Sequence, residues 1–212
     1  DTQQEWFEKV TEFGRKYNYV PMKEYKVSPD DFKGHTGMVC EMLRYIVTGK
    51  HMTPNLYDIL RLLGKDKVLN RIEKYLSKIG YMPENTPLYG EMKVFEYLQF
   101  ISGIYKLKND DFVQNLQLVI EKLEISSVLK QKISTLSKGY RRRVGIAAAI
   151  LHKPDILILD EPTEGLDPNQ KITLRNFLIE YSKTHLVFIS THLLEEAEAL
   201  SSRILILNHG KL

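Results

Sequence analysis

The sequence predicts an α/β fold whose C-terminal half contains a parallel sheet and whose middle is a helical insertion. The short runs DILILD (155–160), LVFIS (186–190) and ILIL (204–207) are continuously apolar, which is typical of parallel strands covered on both faces. Between them, NQKITLRNFLIEYSK and LLEEAEALSS are typical of helices. This alternation predicts βαβ units and therefore a parallel sheet.

The middle of the chain has a different, helical periodicity. Apolar residues recur there at 4-3-4 spacing and predict two amphipathic helices with no strand between them: Val94, Leu98, Ile101 and Tyr105, then Phe112, Leu116, Val119 and Leu123. We therefore expect a single domain over residues 1–212, with an α/β core (1–89 and 136–212) and a helical subdomain (90–135). EWFEKVTEF is compatible with a strand or a helix, and YDILRLLGKDK with a strand ending in a glycine turn.

Composition excludes several classes of protein. Of the 212 residues, 43% are hydrophobic and 27% charged, as in soluble globular proteins, and a formal net charge of +3 is too small to indicate a nucleic-acid partner. The single cysteine excludes an intramolecular disulfide. The sequence contains no secretory start and no apolar run of roughly 18–20 residues, so we expect a cytoplasmic protein. It starts at Asp1 rather than Met, which suggests trimmed ends.

The segment ILILDEPTEGLDP carries the most specific chemistry. Asp160 ends an apolar strand and Glu161 follows it, and ligands of doubly wound folds bind at the C-terminal ends of parallel strands. Asp160 is placed to hold Mg²⁺ through water, and Glu161 to polarise a water that attacks a γ-phosphate. A solvated Asp-Glu pair is the alternative, but the Pro-, Gly- and Asp-rich turn that follows has no packing reason to be there.

Three further segments carry polar residues that mean little in isolation. His192 follows the strand 186–190 and would lie near Glu161 if the two strands are neighbours. Ser137 and Gly139 precede a helix rich in small residues, which indicates either an anion site or an ordinary N-cap with Arg141–Arg143 as a solvated face. Glu84 lies in a loop after the strand-like KIGYM.

Taken in order, these segments resemble the ATP-binding subunit (nucleotide-binding domain) of ABC transporters. LSKGY is similar to the ABC signature, ILILDE to Walker B with its catalytic Glu, GLD to the D-loop, STH to the switch-histidine segment, and GYMPEN to a Q-loop with Glu84 in place of Gln. GYMPENTPLY and STHLLEEAEAL look most like the subfamily that serves ABC-2-type exporters. The resemblance covers about residues 78–212.

The resemblance implies a P-loop NTPase-like (RecA-like) core with an N-terminal β portion, and a cytoplasmic protein peripheral to the inner face of the cell membrane. It also implies a head-to-tail dimer with a second ABC subunit, an integral membrane permease as partner, and ATP and Mg²⁺ as ligands. The implied site comprises catalytic Glu161 and His192, Asp160 and Glu84 at the metal, Asp167 in the D-loop, and Ser137, Lys138 and Gly139 facing the partner's nucleotide. Phe13 is the candidate aromatic that stacks on adenine.

The phosphate loop that this family needs, G-x-x-x-x-G-K-[ST], has no intact copy in the chain. In the only stretch in register, Gly34 and Gly37 are kept. Val39 replaces a Gly, Cys40 the Lys, and Glu41 the Mg²⁺-binding Ser or Thr. Losing the Lys and adding a carboxylate costs roughly three decades in affinity, even after half the Coulomb energy is discounted. We therefore predict that this degenerate Walker A binds MgATP weakly or not at all. Cys40 is interpreted as a buried small hydrophobe rather than a redox group.

Two alternatives stay open. Residues 30–49 could be a plain helix with Ser28 as N-cap and Val39, Leu43 and Ile46 as its apolar stripe. The chain could also be a catalytically impaired ABC-like module with a structural or regulatory role, although Asp160, Glu161 and His192 are intact. Soluble ABC proteins of DNA repair or translation carry long coiled-coil insertions or tandem heads, which do not fit in 212 residues.

Overall fold

The computed structural model describes residues 2–206. The chain divides into two compact units, Asp1–Leu76 and Ser77–Leu212, and each is described separately. The first unit is mostly helical, with two short strands. Its elements are α1 (Gln3–Lys16), β1 (Tyr19–Val20), α2 (Met22–Tyr25), a 3₁₀ turn (Pro29–Asp31), β2 (Gly34–His35), α3 (Thr36–Thr48), α4 (Leu56–Leu63) and α5 (Lys65–Leu76).

The N-terminal segment EWFEKVTEF is helical and belongs to α1. A capping box starts this helix, because the Thr2 hydroxyl accepts from the Glu5 N–H while the Glu5 carboxylate accepts from the Thr2 N–H. The predicted N-terminal β portion is limited to β1 and β2, which pair in parallel over two residues each.

The expected strand in YDILRLLGKDK is wrong, because this segment forms α4 and α5. Asn55 caps α4 by accepting from the Tyr57 N–H at 3.0 Å, and Gly64 ends it with a φ of 76° that only glycine adopts readily. The apolar residues of α4 also fall on one helical face, with Leu56 and Tyr57 buried. A short apolar run does not by itself distinguish a strand from a helix.

The second unit is built on a three-stranded parallel sheet with the order β3-β4-β5. Its elements are β3 (Ile79–Met82), α6 (Val94–Ile104), α7 (Asn109–Lys122), two 3₁₀ turns (Ser126–Val128 and Ile133–Thr135), α8 (Lys138–Ile150), β4 (Ile156–Asp160), α9 (Pro168–Ser182), β5 (Leu186–Ser190) and α10 (Leu194–Leu200). The parallel sheet and the two amphipathic helices of the middle segment are therefore confirmed.

The core of this unit lies where α8 meets the sheet. Leu157 and Leu159 of β4 are fully buried, and α8 packs close to β3 through small residues, including Ala147 and Ala149. A Cβ atom on Gly80 of β3 would lie 2.1 Å from the backbone oxygen of Ala149, so glycine permits this close approach. The packing fixes β3 and β4 side by side and thereby aligns their C-terminal ends.

The apolar runs predicted that both faces of the sheet are buried, and for the described residues this prediction is wrong. Tyr81, Ile158 and Phe188 align across the sheet on one face, and they are 57%, 37% and 49% exposed. Residues 204–206 of the run ILIL form no strand, and Leu207 lies outside the described residues. None of the helices formed by residues 2–206 is long and apolar enough to cross a bilayer.

Candidate functional site

The C-terminal ends of the three parallel strands gather acidic residues and an imidazole. Asp160, the last residue of β4, is paired in register with Ser190, the last residue of β5. A cavity of about 470 Å³ opens at this edge, lined by Glu84, Asp160, Glu161, Glu164, Ser190, Thr191 and His192. The structure thus brings together four of the predicted site residues: Glu84, Asp160, Glu161 and His192.

Glu161 and His192 form the best-defined contact of this cavity. Oε1 of Glu161 accepts from the His192 N–H and lies 2.8 Å from His192 Nδ1, while the Thr191 hydroxyl donates to Oε2 at 3.4 Å. The Glu161 side chain is only 14% exposed, whereas that of His192 is 69% exposed. The pair therefore combines a sheltered carboxylate with an accessible imidazole.

The backbone of Glu161 is in the left-handed region, with a φ of 47°. Non-glycine residues in this conformation are uncommon, and they persist where the surroundings hold them. Here the Glu161 N–H donates to the Ser190 carbonyl at 3.1 Å, and the carboxylate is bonded to the segment that follows β5. The turn thus stores its strain at the point where the carboxylate meets His192.

The hydrogen bond and the charge of Glu161 raise the pKa of His192 above its usual value of 6.5, and the nearby Glu164 and Glu84 act in the same direction. A raised pKa means that the contact favours the protonated imidazole. Its contribution to stability is fully present below the unfolded-state pKa and is lost as the pH rises through the folded-state pKa. The contact therefore places a proton-carrying imidazole directly beside the Glu161 carboxylate.

Asp160 has the chemistry of a ligand for a hydrated magnesium ion. Its Oδ1 accepts a hydrogen bond from the Ser190 hydroxyl, which fixes the orientation of the carboxylate. Among residues 2–206 no group of three or more His, Cys, Asp or Glu side chains is placed to enclose a metal. Mg²⁺ prefers oxygen ligands and keeps several waters, so an open site with Asp160 and, from the cavity wall, Glu84 fits it.

The signature-like segment opens α8. The Ser137 hydroxyl accepts from the Tyr140 N–H at 3.3 Å, so Ser137 is an N-cap. Lys138 pairs with Glu164 at 2.6 Å, and a Cβ atom on Gly139 would lie 2.5 Å from Gln170 Oε1. The solvated arginine face of the alternative interpretation is wrong for Arg142 and Arg143, which are each 5% exposed.

The buried arginines connect α8 to its surroundings. Arg142 donates to the Glu84 carbonyl at 2.7 Å and lies 3.6 Å from the Glu164 carboxylate. Arg143 donates to the Leu123 carbonyl and stacks over the Tyr140 ring. Sequence reasoning missed Arg142 and Glu164, because their contacts join segments far apart in the chain and no local motif marks them.

Asp167 is the N-cap of α9. Its Oδ1 accepts from the Gln170 N–H at 2.9 Å, and Pro168 occupies the first helical position, where its missing N–H costs nothing. This D-loop candidate therefore has a clear local structural role, and α9 begins only a few residues after the Glu161 turn.

The predicted phosphate-loop residues belong to the first unit. Gly34 lies in β2, and α3 begins at Thr36, so Gly37, Cys40 and Glu41 are helical and no loop forms over residues 36–41. The alternative of a plain helix is confirmed for residues 36–48. Its expected N-cap at Ser28 is wrong, since His35 occupies that position and Ser28 precedes a separate 3₁₀ turn.

The side chains of this segment do not fit a triphosphate. Gly34 is explained by packing, because a Cβ atom there would lie 2.7 Å from Met38 Sδ and 3.0 Å from the Tyr19 ring. Burial raises the pKa of the Cys40 thiol, and Glu41 lies 3.9 Å from His51 on the surface. Phe13, the adenine-stacking candidate, is 55% exposed on α1 beside Tyr17.

Comparison with known proteins places the chain in a family. The family model described as ABC transporter matches residues 37–164, more than half of the chain. The chain therefore belongs to the ABC transporter family. A solved structure described as the ATP-binding subunit of an ABC transporter matches with a TM-score of 0.61 and 29% identity, over 68% of this chain and 60% of that one. This match confirms the predicted P-loop NTPase-like fold class.

Two curated relatives carry related names. An uncharacterized ABC transporter ATP-binding protein of Methanocaldococcus jannaschii is 38% identical over 135 residues, which cover 63% of this chain and 52% of that protein. The linearmycin resistance ATP-binding protein of Bacillus subtilis is 35% identical over 140 residues, or 66% of this chain and 45% of that protein. The matched part of the chain thus spans about half the length of each of these two relatives.

Proposed function

We propose that this chain is the ATP-binding subunit of an ABC transporter of the ABC-2 exporter type. In that transporter it forms a head-to-tail dimer with a second ABC subunit and contacts a membrane permease from the cytoplasmic side. The observation that carries the proposal is the juxtaposition of Asp160, Glu161 and His192 at the ends of neighbouring parallel strands. Family membership and the names of the relatives support it. The grouping of residues 1–89 with 136–212 as one α/β core is part of the same proposal.

In this proposal Glu161 acts as the general base for hydrolysis of ATP. Its carboxylate is mostly sheltered from solvent and accepts two hydrogen bonds from His192, so it is held in one orientation at the cavity. Glu161 would take the proton of the attacking water, and the His192 ring, whose Nδ1 lies 2.8 Å from Oε1, would hold the carboxylate in place by donating to it. A magnesium ion held through water by Asp160 would supply charge neutralisation at the phosphates.

Residues 34–41, the candidate phosphate loop, limit how this chain could bind ATP by itself. Because residues 36–41 are helical and carry Cys40 and Glu41 in place of Lys and a hydroxyl, we propose that the chain's own Walker A side is weak and that Ser137, Lys138 and Gly139 complete the site of the partner. The same observation favours a second candidate function, a catalytically impaired module with a structural or regulatory role. Turnover by the assembled transporter separates the two, since the impaired module adds none.

Substitutions of Ser137 test whether the signature serves a partner site or only caps a helix. Asp caps helices as well as Ser does, whereas Ala costs about 1 kcal/mol of stability. We expect Ser137→Asp to unfold at the temperature of the wild type and Ser137→Ala to unfold lower. If Ser137 faces a phosphate, both variants lose ATP turnover in the assembled dimer, and Asp loses more because its charge repels the phosphate. If Ser137→Asp keeps full turnover, the role of Ser137 is only to cap α8.

A further inference from the structure

The last helix of the described chain, α10, is attached to the rest of the second unit by a buried carboxylate. Glu196 is the one buried residue of α10, at 2% exposure, whereas Leu194, two residues before it, is 63% exposed. A seven-residue helix is too short to be stable in isolation, so its attachment determines where it lies. For α10 that attachment consists of the ion pairs of Glu196 and the packing of Leu200 against the core.

The partners of Glu196 are two cations on α9. Arg175 reaches both carboxylate oxygens, with Nη2 2.8 Å from Oε1 and Nε donating to Oε2 at 3.1 Å, and Lys171 Nζ lies 3.2 Å from Oε1. Burial opposes ionisation of Glu196, but the hydrogen bonds from Arg175 and Lys171 outweigh it and lower the pKa of this carboxyl. The bidentate geometry makes the contact directional as well as strong.

This contact lies between the two segments that carry the candidate site. Lys171 is in the first turn of α9, where its N–H donates to the Asp167 carbonyl, and Asp167 is the D-loop candidate. Glu196 lies four residues after His192, and the intervening Leu193 N–H donates to the Thr191 hydroxyl. His192 is thus held at Glu161 on one side and, through one turn of helix, at α9 on the other.

We propose that Glu196 is a positioning residue: by clamping α10 to Lys171 and Arg175 of α9, it fixes the place of His192 against Glu161. This inference rests on the proposed function for its catalytic meaning, but the clamp itself can be tested without turnover. Removal of the clamp leaves the packing of Leu200, at the far end of α10, as a remaining attachment to the core, so the His192 segment at the near end becomes free to move away from Glu161.

The test is the titration of His192 by NMR in the complete chain, with its signal assigned by comparison with His192→Gln. Wild-type His192 should titrate above 6.5, because Glu161, with Glu164 and Glu84, raises its pKa. In Glu196→Gln we expect the pKa to fall, with at least about a twofold loss in proton affinity. In Arg175→Gln we expect a fall as well, because the clamp is broken from the other side.

The sign of the Arg175→Gln effect separates positioning from charge. Losing the negative charge of Glu196 lowers the pKa of His192 through space, but losing the positive charge of Arg175 raises it. Opposite signs in the two variants would therefore overturn the proposal, as would an unchanged pKa in both. Glu195→Gln is the matched control: it removes the same charge from the neighbouring exposed position, so it measures the through-space effect alone, and its lowering of the His192 pKa should be smaller than that of Glu196→Gln.

A milder variant covers the case in which Glu196→Gln does not fold. Lys171→Gln removes a single contact of the clamp and should shift the His192 pKa in the same downward direction; no shift in this variant and in Arg175→Gln would overturn the clamp. In the assembled transporter, Glu196→Gln should lower kcat for ATP more than it changes KM. If the His192 pKa falls in both clamp variants while turnover is independent of Glu161, the clamp stands and the proposed function fails.

Discussion

Under the proposed function, Glu161→Gln is expected to lower ATP turnover by the assembled transporter by about 10²–10⁴-fold. The reason is that Gln keeps the shape of the side chain but cannot accept a proton from water. Its amide oxygen can still accept from the His192 N–H, so the turn around residue 161 should survive. Turnover should be measured at several concentrations of MgATP up to the millimolar range, so that a weak site is also filled.

Glu164→Gln is the matched control for this experiment. Glu164 lines the same cavity, but its carboxylate accepts a hydrogen bond from Lys138, which lowers its pKa, whereas the carboxylate of Glu161 contacts His192 directly. We expect this variant to keep most of the turnover. Equal losses in the two variants, or a Glu161→Gln protein that turns over ATP like the wild type, would contradict the assignment of Glu161 as the base.

Gly80→Ala is expected to lower the stability of the second unit substantially. The added Cβ atom would lie 2.1 Å from the Ala149 carbonyl oxygen and 2.8 Å from the Pro154 ring, so α8 must move away from β3. Overpacking of this kind costs about 1–3 kcal/mol and occasionally more, and we expect the upper end because the obstacle is backbone. Chemical denaturation of the wild type and the variant measures the difference.

Gly103→Ala provides the matched control for the same chemical change. Gly103 lies in the exposed last turn of α6, where an added Cβ atom meets nothing within 4 Å. Alanine is favoured over glycine in helices by up to about 1 kcal/mol, so this variant should be as stable as the wild type or slightly more stable. A Gly80→Ala protein with wild-type stability would show that α8 does not press on β3 as described.

The second unit was largely predictable from the sequence because its signals are local and agree with one another. The apolar runs before Asp160 and Ser190 are long enough to identify strands, and the carboxyl ends of parallel strands lie at one edge of a sheet. The proximity of Glu161 and His192 follows from this geometry once the two strands are neighbours. Local patterns could not show that Glu161 adopts a positive φ or that the pair is linked through a single oxygen.

The first unit was harder to predict because its segments are short and their signals conflict. YDILRLL is compatible with a strand by composition, and the Asn55 cap, the Gly64 stop and the single apolar face together identify it as a helix. Gly34 resembled a remnant of a phosphate loop, but its close approach to Met38 and Tyr19 gives it a packing role. The burial of Arg142 and Glu196 was also invisible, because each is compensated by partners distant in sequence.

The central claim is that this ABC subunit has Asp160, Glu161 and His192 in place but lacks a working phosphate loop of its own. The most direct test is to titrate the chain with a fluorescent ATP analogue in the presence of Mg²⁺. The account predicts no saturable binding at micromolar concentrations, because residues 36–41 form part of a helix rather than a loop and carry Cys40 and Glu41 instead of a lysine and a hydroxyl. Saturable micromolar binding to the chain alone would contradict it.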